Sequence, residues 1–486
     1  MRYFRLFPDC HLIRGPARAT IYLLTKRKRY HLSKTESTIL DAITGSNDVE
    51  SVIANHGHEA RQLLTMLVKE ALGTFFERPV VSEAYSPKSP IGLRGIFEAP
   101  PVIQTLHVQI TDLCDAKCGF CGDNDLLPWQ GCNSCLRWSP SGGQRAAEED
   151  LSKLLDELGD LDVRNVVISG GNPLMEADRL FALATRLRQA KPSIGIRVAC
   201  NGGGLDRNIG QQIKTLGIDM SFSVFGTTPH EYGAITGNPK LYSQLQNALA
   251  VCRELDIKYS ITVVIAPSSR ERSEELRRFG LSLGGNQELS FTELLPRKDN
   301  RVKPQFRGGL PFAGDGETAS SPTGPSKLAN VGTTEFFRRG KYNFCLNGRI
   351  AIALDGAVLP CPVWPKPVTS IALGKGIRPA FRVFDPESIL PYWEASKAKI
   401  PGCQSCENQH SCADCAILEW ETHRDIAERR RFCDYVPELG VWEDAGISRN
   451  LNSGSITYPH QSRDLDGVGL PNGGARQGGS TEDEEN

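Results

Sequence analysis

The sequence predicts an α/β protein in three parts: a small N-terminal α/β unit, a central parallel sheet of six strand-helix units, and a C-terminal cysteine-rich domain. Three observations predict it. Six short apolar runs recur between about residues 104 and 295 with helical stretches between them, the alternation that builds a parallel sheet. Ahead of them, residues 1–78 place two strand candidates before a series of helices. Behind them, seven of the fifteen cysteines crowd between Cys345 and Cys433, and none falls between Cys252 and Cys345.

Composition sets the class. A chain of 486 residues holds two or three domains, and 23% charged with 40% hydrophobic residues is ordinary for a soluble protein, which excludes fibrous and membrane classes. Met1 to Pro16 mixes Arg and Asp into its apolar residues, so neither a secretory signal nor a membrane span is visible and a cytoplasmic location is expected. A net charge of -1 offers no general attraction for nucleic acid or anionic lipid, and neither is expected as a partner. Without an export signal, so many cysteines read as reduced thiolates that bind metal rather than as disulfides.

Within 1–78, strands at Ala19 to Leu24 and Arg29 to Leu32 join across the basic turn Lys26-Arg27-Lys28-Arg29, read as a solvated hairpin tip. Ser33 and Glu36 form a capping box ahead of Ile39, Leu40 and Ile43, and Gly45 ends that helix. Helical stretches at Asp48 to Ala54 and Glu59 to Leu72 lead to a short strand at Gly73 to Phe76. This order is winged-helix-like. Residues 79–103 follow as a linker, where Pro87, Pro90, Pro100 and Pro101 prevent helix.

The central region, 104–297, places strands at Leu106 to Ile110, Val163 to Ser169, Ile194 to Cys200, Met220 to Phe225, Tyr259 to Ile265 and Leu289 to Leu294. Leu151, Leu154, Leu155 and Leu158 make one helical core stripe, and Leu241, Leu245, Ala248, Leu249 and Cys252 another. Residues 298–335, with Arg307-Gly308-Gly309 and little apolar periodicity, read as a flexible loop. The cysteine-rich domain spans 336–446. Residues 447–486 turn to Asn, Ser, Gly and Asp and are expected to be disordered.

The motif with most chemistry is Cys114-x3-Cys118-x2-Cys121, directly after the first central strand and with Phe120 before its last cysteine. Three thiolates this close hold three irons of a 4Fe-4S cluster and leave the fourth open. Tetrahedral zinc wants four ligands and fits this spacing poorly. The motif resembles the radical S-adenosylmethionine (radical SAM) superfamily. The resemblance implies a partial (β/α)6 barrel of TIM-like kind with its site at the strand C-termini, and cleavage of SAM to a 5′-deoxyadenosyl radical. Ser169-Gly170-Gly171-Asn172-Pro173 then looks like the superfamily's Gly-Gly-Glu-Pro motif, with Asn172 in place of Glu. It implies SAM contacts for Gly170, Gly171 and Asn172. Asn201, in Cys200-Asn201-Gly202, and Ser223 end the next two strands and are candidates for SAM ribose and carboxylate hydrogen bonds. Asn201 reads equally well as a turn residue. Cys10, Cys200 and Cys252 read as structural or core residues.

In the last domain, Asp355-Gly356 between two apolar runs signals a hairpin that brings Cys345 and Cys361 together. Cys403-x2-Cys406-x5-Cys412-x2-Cys415 and Cys433 follow. These intervals look like the SPASM domain of peptide- and protein-modifying radical SAM enzymes. The resemblance implies two auxiliary 4Fe-4S clusters: the first on Cys345, Cys361 and Cys415, three ligands with an iron open to a substrate group, and the second on Cys403, Cys406, Cys412 and Cys433. Two Cys-x2-Cys pairs alone would suit zinc ribbons. Cys132-x2-Cys135 fits neither pattern; it binds a metal with ligands from elsewhere, reaches the active site, or sits unligated.

The N-terminal part resembles the recognition domain of ribosomal-peptide maturases, where a leader peptide adds a strand to a sheet edge. Tyr3 to Cys10, Ile13-Arg14-Gly15 and Ile21-Tyr22 also look like the start of the grasp-with-spasm maturases. Together these resemblances imply a radical SAM enzyme that modifies, and usually crosslinks, a precursor peptide, drawing electrons from a donor such as flavodoxin or ferredoxin. One alternative is an anaerobic sulfatase maturase, which commonly has an Asp base where Pro362 stands. Another is a non-catalytic iron-sulfur peptide-binding partner.

Overall fold

The structure, a computed structural model, describes residues 2–45, 47–80, 84, 102–121, 125–135, 145–285, 289–297, 328–382, 385, 387–412, 415–417, 420, 433, 435–442, 448–449 and 456–457. Most of the expected linker 79–103, residues 298–327 of the expected loop, and nearly all of the expected disordered tail lie outside the described residues.

Near the N-terminus, β1 (Tyr3–Leu6) is followed by β2 (Cys10–Arg14), β3 (Arg18–Leu23) and β4 (Lys28–Ser33). The last three form an antiparallel sheet in the order β2-β3-β4. Its β3–β4 turn carries Arg27 in the left-handed region, φ 52°. Ser33 caps the helix Lys34–Thr44 with the capping box its sequence announces. The two helical stretches that follow join into one element, Val49–Lys69, bent where Gly57 takes φ 57°. β5 (Gly73–Phe76) does not form a wing hairpin with its neighbours but pairs antiparallel with β1. Leu23, Leu32, Ile39, Leu40, Leu63 and Leu67 fill the core beneath.

Among the described residues the central sheet has ten strands. Six are the predicted parallel set: β6 (Ile103–Thr111), β8 (Val163–Gly170), β9 (Gly195–Cys200), β10 (Ile218–Val224), β11 (Tyr259–Ile265) and β12 (Ser290–Pro296). Nearly continuous Val, Ile and Leu runs fit strands covered on both faces, and β11 is buried at every position. The helices Glu148–Asp160 and Lys240–Glu254 bury the leucine stripes read from the sequence, with Leu151 only partly buried at the start of the first. Among the described residues the order is linear, a partial barrel.

Both ends of the set are extended. β7 (Leu126–Trp129), carrying Pro128, pairs antiparallel with β12, an edge position that proline tolerates. At the other end β13 (Arg349–Ile352) adds in parallel to β6, and β14 (Ala357–Leu359) and β15 (Thr369–Ser370) follow antiparallel. The predicted Asp355-Gly356 hairpin is therefore part of the barrel's own sheet rather than a separate one. The helix Thr333–Lys341 crosses the expected boundary at residue 335.

That helix joins the two ends of the chain. Phe336 stacks on His410, with centroids 3.9 Å apart, and meets His11 and Tyr22 at 4.9 and 5.1 Å. Tyr22 donates its hydroxyl to the Glu407 carbonyl (2.8 Å), and Arg29 donates to the Leu328 carbonyl (3.0 Å). The N-terminal sheet is thus seated on the segment that carries Cys403, Cys406 and Cys412. Residues 441–486 form a second unit, in which Ser448–Arg449 and Ile456–Thr457 pair antiparallel. Among the described residues no helix is long and apolar enough to cross a membrane.

Candidate cluster and cofactor site

The Cys114-Cys118-Cys121 loop leaves the C-terminal end of β6 and is tied down on all sides. Ala116 N–H lies 3.4 Å from Cys114 Sγ, Cys121 N–H donates to the Cys118 carbonyl (3.1 Å), and Lys117 N–H donates to the Thr236 carbonyl (2.7 Å). Buried Cys135 lies within electrostatic reach of all three sulfurs. The motif cysteines themselves are only partly buried. Soft sulfur donors gathered at a strand end fit an iron-sulfur cluster. No two of the fifteen cysteines are joined in a disulfide.

The glycine pair holds this loop against the next strand. Gly171 N–H donates to the Thr111 carbonyl (3.0 Å) and Asn172 N–H to the Leu113 carbonyl (2.7 Å). A Cβ at either glycine would overlap a backbone carbonyl, that of Thr111 for Gly170 and that of Leu113 for Gly171. Gly170 also takes φ 147°, which only glycine adopts readily.

Asp115 is the hub of the polar groups, and nothing in its sequence context marks it beyond its place between two motif cysteines. Asn201 Nδ2 donates to Asp115 Oδ1 (2.7 Å) and reaches Cys114 Sγ at 3.7 Å. Asn172 Nδ2 donates to Asp115 Oδ1 (3.3 Å) and to the Gly203 carbonyl (2.9 Å). Asn201 Oδ1 accepts Gly203 N–H (2.9 Å) and Asn172 Oδ1 accepts Leu174 N–H (3.2 Å). Both asparagines therefore face the cysteine loop, and Asn201 also serves its turn. Ser223 stands apart from this network, with its Oγ accepting the Cys135 N–H (3.0 Å). Phe120, Phe225 and Tyr232 form an apolar wall beside the loop, with successive centroids 6.1 and 5.8 Å apart.

Cys345, Cys361 and Cys415 interact with one another, behind the β13–β14 hairpin. Cys406 faces Cys412 and Cys433, and a turn links Cys406 N–H to the Cys403 carbonyl (2.9 Å). Burial pushes the Cys406 and Cys361 thiols up. Cys10, Cys200 and Cys252 are buried, with thiols pushed up to about 12 by burial, as fits core residues. Among the described residues no three His, Cys, Asp or Glu side chains are gathered as closely as ligands of a single metal ion.

Residues 108–280 match the family model of the Radical SAM superfamily. GTP 3',8-cyclase 2 of Mycobacterium tuberculosis is 30% identical over 200 residues, 40% of this chain and 51% of that protein. The chain thus spans about half the length of that relative. Native anSMEcpe with bound AdoMet superposes on 68% of this chain and 94% of its own, at 13% identity and TM-score 0.47. Streptococcus suis SuiB bound to precursor peptide SuiA does so over 88% and 99%, at 14% identity and TM-score 0.39.

Proposed function

From the match of residues 108–280 to the Radical SAM family model, we propose that this chain is a radical SAM enzyme that modifies a ribosomally made precursor peptide, forming a crosslink in it. Cys114, Cys118 and Cys121 would hold the 4Fe-4S cluster, and Gly170, Gly171, Asn172, Asn201 and Ser223 would surround SAM. Bound together, cluster and SAM supply a 5′-deoxyadenosyl radical for hydrogen-atom abstraction. The chain's own part is positional. Asp115 fixes Asn172 and Asn201 against Cys114, the glycine pair keeps β8 close to the loop, and Phe120 and Phe225 keep water from it. Cys345, Cys361 and Cys415 would serve a first auxiliary 4Fe-4S cluster and Cys403, Cys406, Cys412 and Cys433 a second, fed by a flavodoxin- or ferredoxin-type donor in the cytoplasm.

The observation that carries the peptide reading is the seating of the β2-β3-β4 sheet on the Cys403–Cys412 segment through Phe336, His410 and Tyr22. A peptide paired to an edge of that sheet is held on the same body as the auxiliary ligands. Strand addition slows amide exchange at the edge it joins. Addition of a cognate leader peptide should therefore protect β2 or β4 amides; unchanged exchange across β2–β4 with the peptide bound would refute the recognition role.

The 30% identity to GTP 3',8-cyclase 2 favours a second reading, action on a purine nucleotide. Mass spectrometry after turnover with GTP and, separately, with a precursor peptide decides between them. A nucleotide product with an unaltered peptide would reject the maturase reading.

A further inference from the structure

We propose that Cys132 is the fourth thiolate ligand of the first auxiliary cluster, completing the set begun by Cys345, Cys361 and Cys415. The inference rests on the auxiliary-cluster reading above and narrows it, because a cluster with four cysteine ligands has no iron left open for a substrate group.

The four residues come from distant parts of the chain. Cys132 sits in the short turn Gly131–Asn133 after β7, Cys345 precedes β13, Cys361 follows β14, and Cys415 lies beyond the second cysteine set. All four are buried. They meet around Arg349, itself 4% exposed, whose Nη1 lies 3.0 Å from Cys132 Sγ and 3.8 Å from Cys345 Sγ. Cys361 and Cys415 both lie close enough to feel the charge of Cys132 and of Cys345.

The charge of Arg349 makes the set informative. A buried guanidinium within reach of two sulfurs suits anionic thiolates better than neutral thiols. Thiolates on an iron-sulfur cluster are anionic sulfurs of that kind. Hydrogen bonds of this kind to cluster sulfurs also tune reduction potential.

Side-chain hydrogen bonds fix the turn that carries Cys132. Thr292 Oγ1 donates to the Gln130 carbonyl (3.2 Å), Thr262 Oγ1 to the Asn133 carbonyl (2.9 Å), and Ser134 Oγ to the Gly131 carbonyl (3.0 Å). Three residues on, Cys135 faces Cys114, Cys118 and Cys121. One Cys-x2-Cys loop therefore lies near both cysteine groups, its first member on the auxiliary side and its second on the side of the motif cysteines.

The test uses the full chain, reconstituted anaerobically, as wild type and as Cys132→Ala, Cys132→Ser and Cys345→Ala. SAM is added to occupy the open iron at Cys114, Cys118 and Cys121, and 15N-imidazole probes any other open iron by pulsed EPR of the reduced protein. In wild type no 15N coupling is expected. Cys132→Ala should show either a new 15N coupling or, after oxidation, a 3Fe-4S signal, and Cys345→Ala should do the same. Cys132→Ser, which retains size and an oxygen donor, checks that the change is ligation rather than misfolding; a spectrum identical to wild type in both Cys132 variants overturns the proposal. So does 15N coupling in the wild type. Iron near four per chain, or zinc in its place, would instead remove the auxiliary clusters and the proposal with them.

Discussion

Phe336 holds the N-terminal sheet to the cysteine-rich segment, and truncating it should loosen that junction. The ring is 3% exposed. It stacks on His410 at 3.9 Å and 16° and meets His11, Tyr22 and Phe337 at 4.9, 5.1 and 5.4 Å. Deleting a buried Phe ring costs about 3–5 kcal/mol, cavity included, and each aromatic pair accounts for about 0.5–1.5 kcal/mol beyond its area. Phe336→Ala should therefore lower the free energy of opening this junction by about 3 kcal/mol, roughly a hundred-fold faster exchange at one decade per 1.4 kcal/mol. Amide hydrogen exchange followed by mass spectrometry reads it directly. Amides of β2–β4 and of residues 403–412 should speed up together, while β9–β11 stay protected. A change under about threefold at β2–β4, or an equal change throughout the barrel, would refute the claim that this ring cluster joins the two ends of the chain.

Gly171→Ala pushes a methyl group into the Leu113 carbonyl and displaces the cysteine loop; the reconstituted variant should lose about four irons per chain, and unchanged iron content would contradict the packing described. Asp115→Ala removes the acceptor shared by Asn172 and Asn201, each such bond to a charged group being worth about 1.5–3 kcal/mol. Its binding of SAM, measured by equilibrium dialysis, should weaken at least ten-fold, and unaltered binding would deny that this network orders the site. Burial holds the His11 imidazole below its usual range, with Asp9 opposing. The unfolded chain then takes up the proton first, so stability from the neutral ring is complete above about pH 6.5 and is lost as pH falls toward the depressed folded value. Urea midpoints should fall from pH 7 to pH 5 by more in wild type than in His11→Phe; parallel profiles would remove His11 from the junction.

The six parallel strands were legible to within about three residues because each is a run of β-branched and aliphatic residues with a helical stripe after it, as at Tyr259–Ile265. The capping box at Ser33 and the turn at Asp355-Gly356 were equally local and equally readable. What the chain concealed depends on distant pairing. Leu126–Trp129, with a proline inside, has no strand pattern of its own and becomes one only against β12. β13 joins β6 across some 240 residues, which no periodicity reports. The same holds for the site. Cysteine spacing marks Cys114, Cys118 and Cys121, but the convergence of Asn172 and Asn201 on Asp115, and of Cys132 on Arg349, exists only once the strands are side by side.

The central claim is that Cys114, Cys118 and Cys121 hold a cluster that cleaves SAM. Release of 5′-deoxyadenosine from SAM under dithionite, by anaerobically reconstituted protein and by Cys114→Ala, tests it most directly. Release by the wild type and none by the variant is the predicted result; equal release by both, or none by a wild-type protein carrying its full iron, would contradict it.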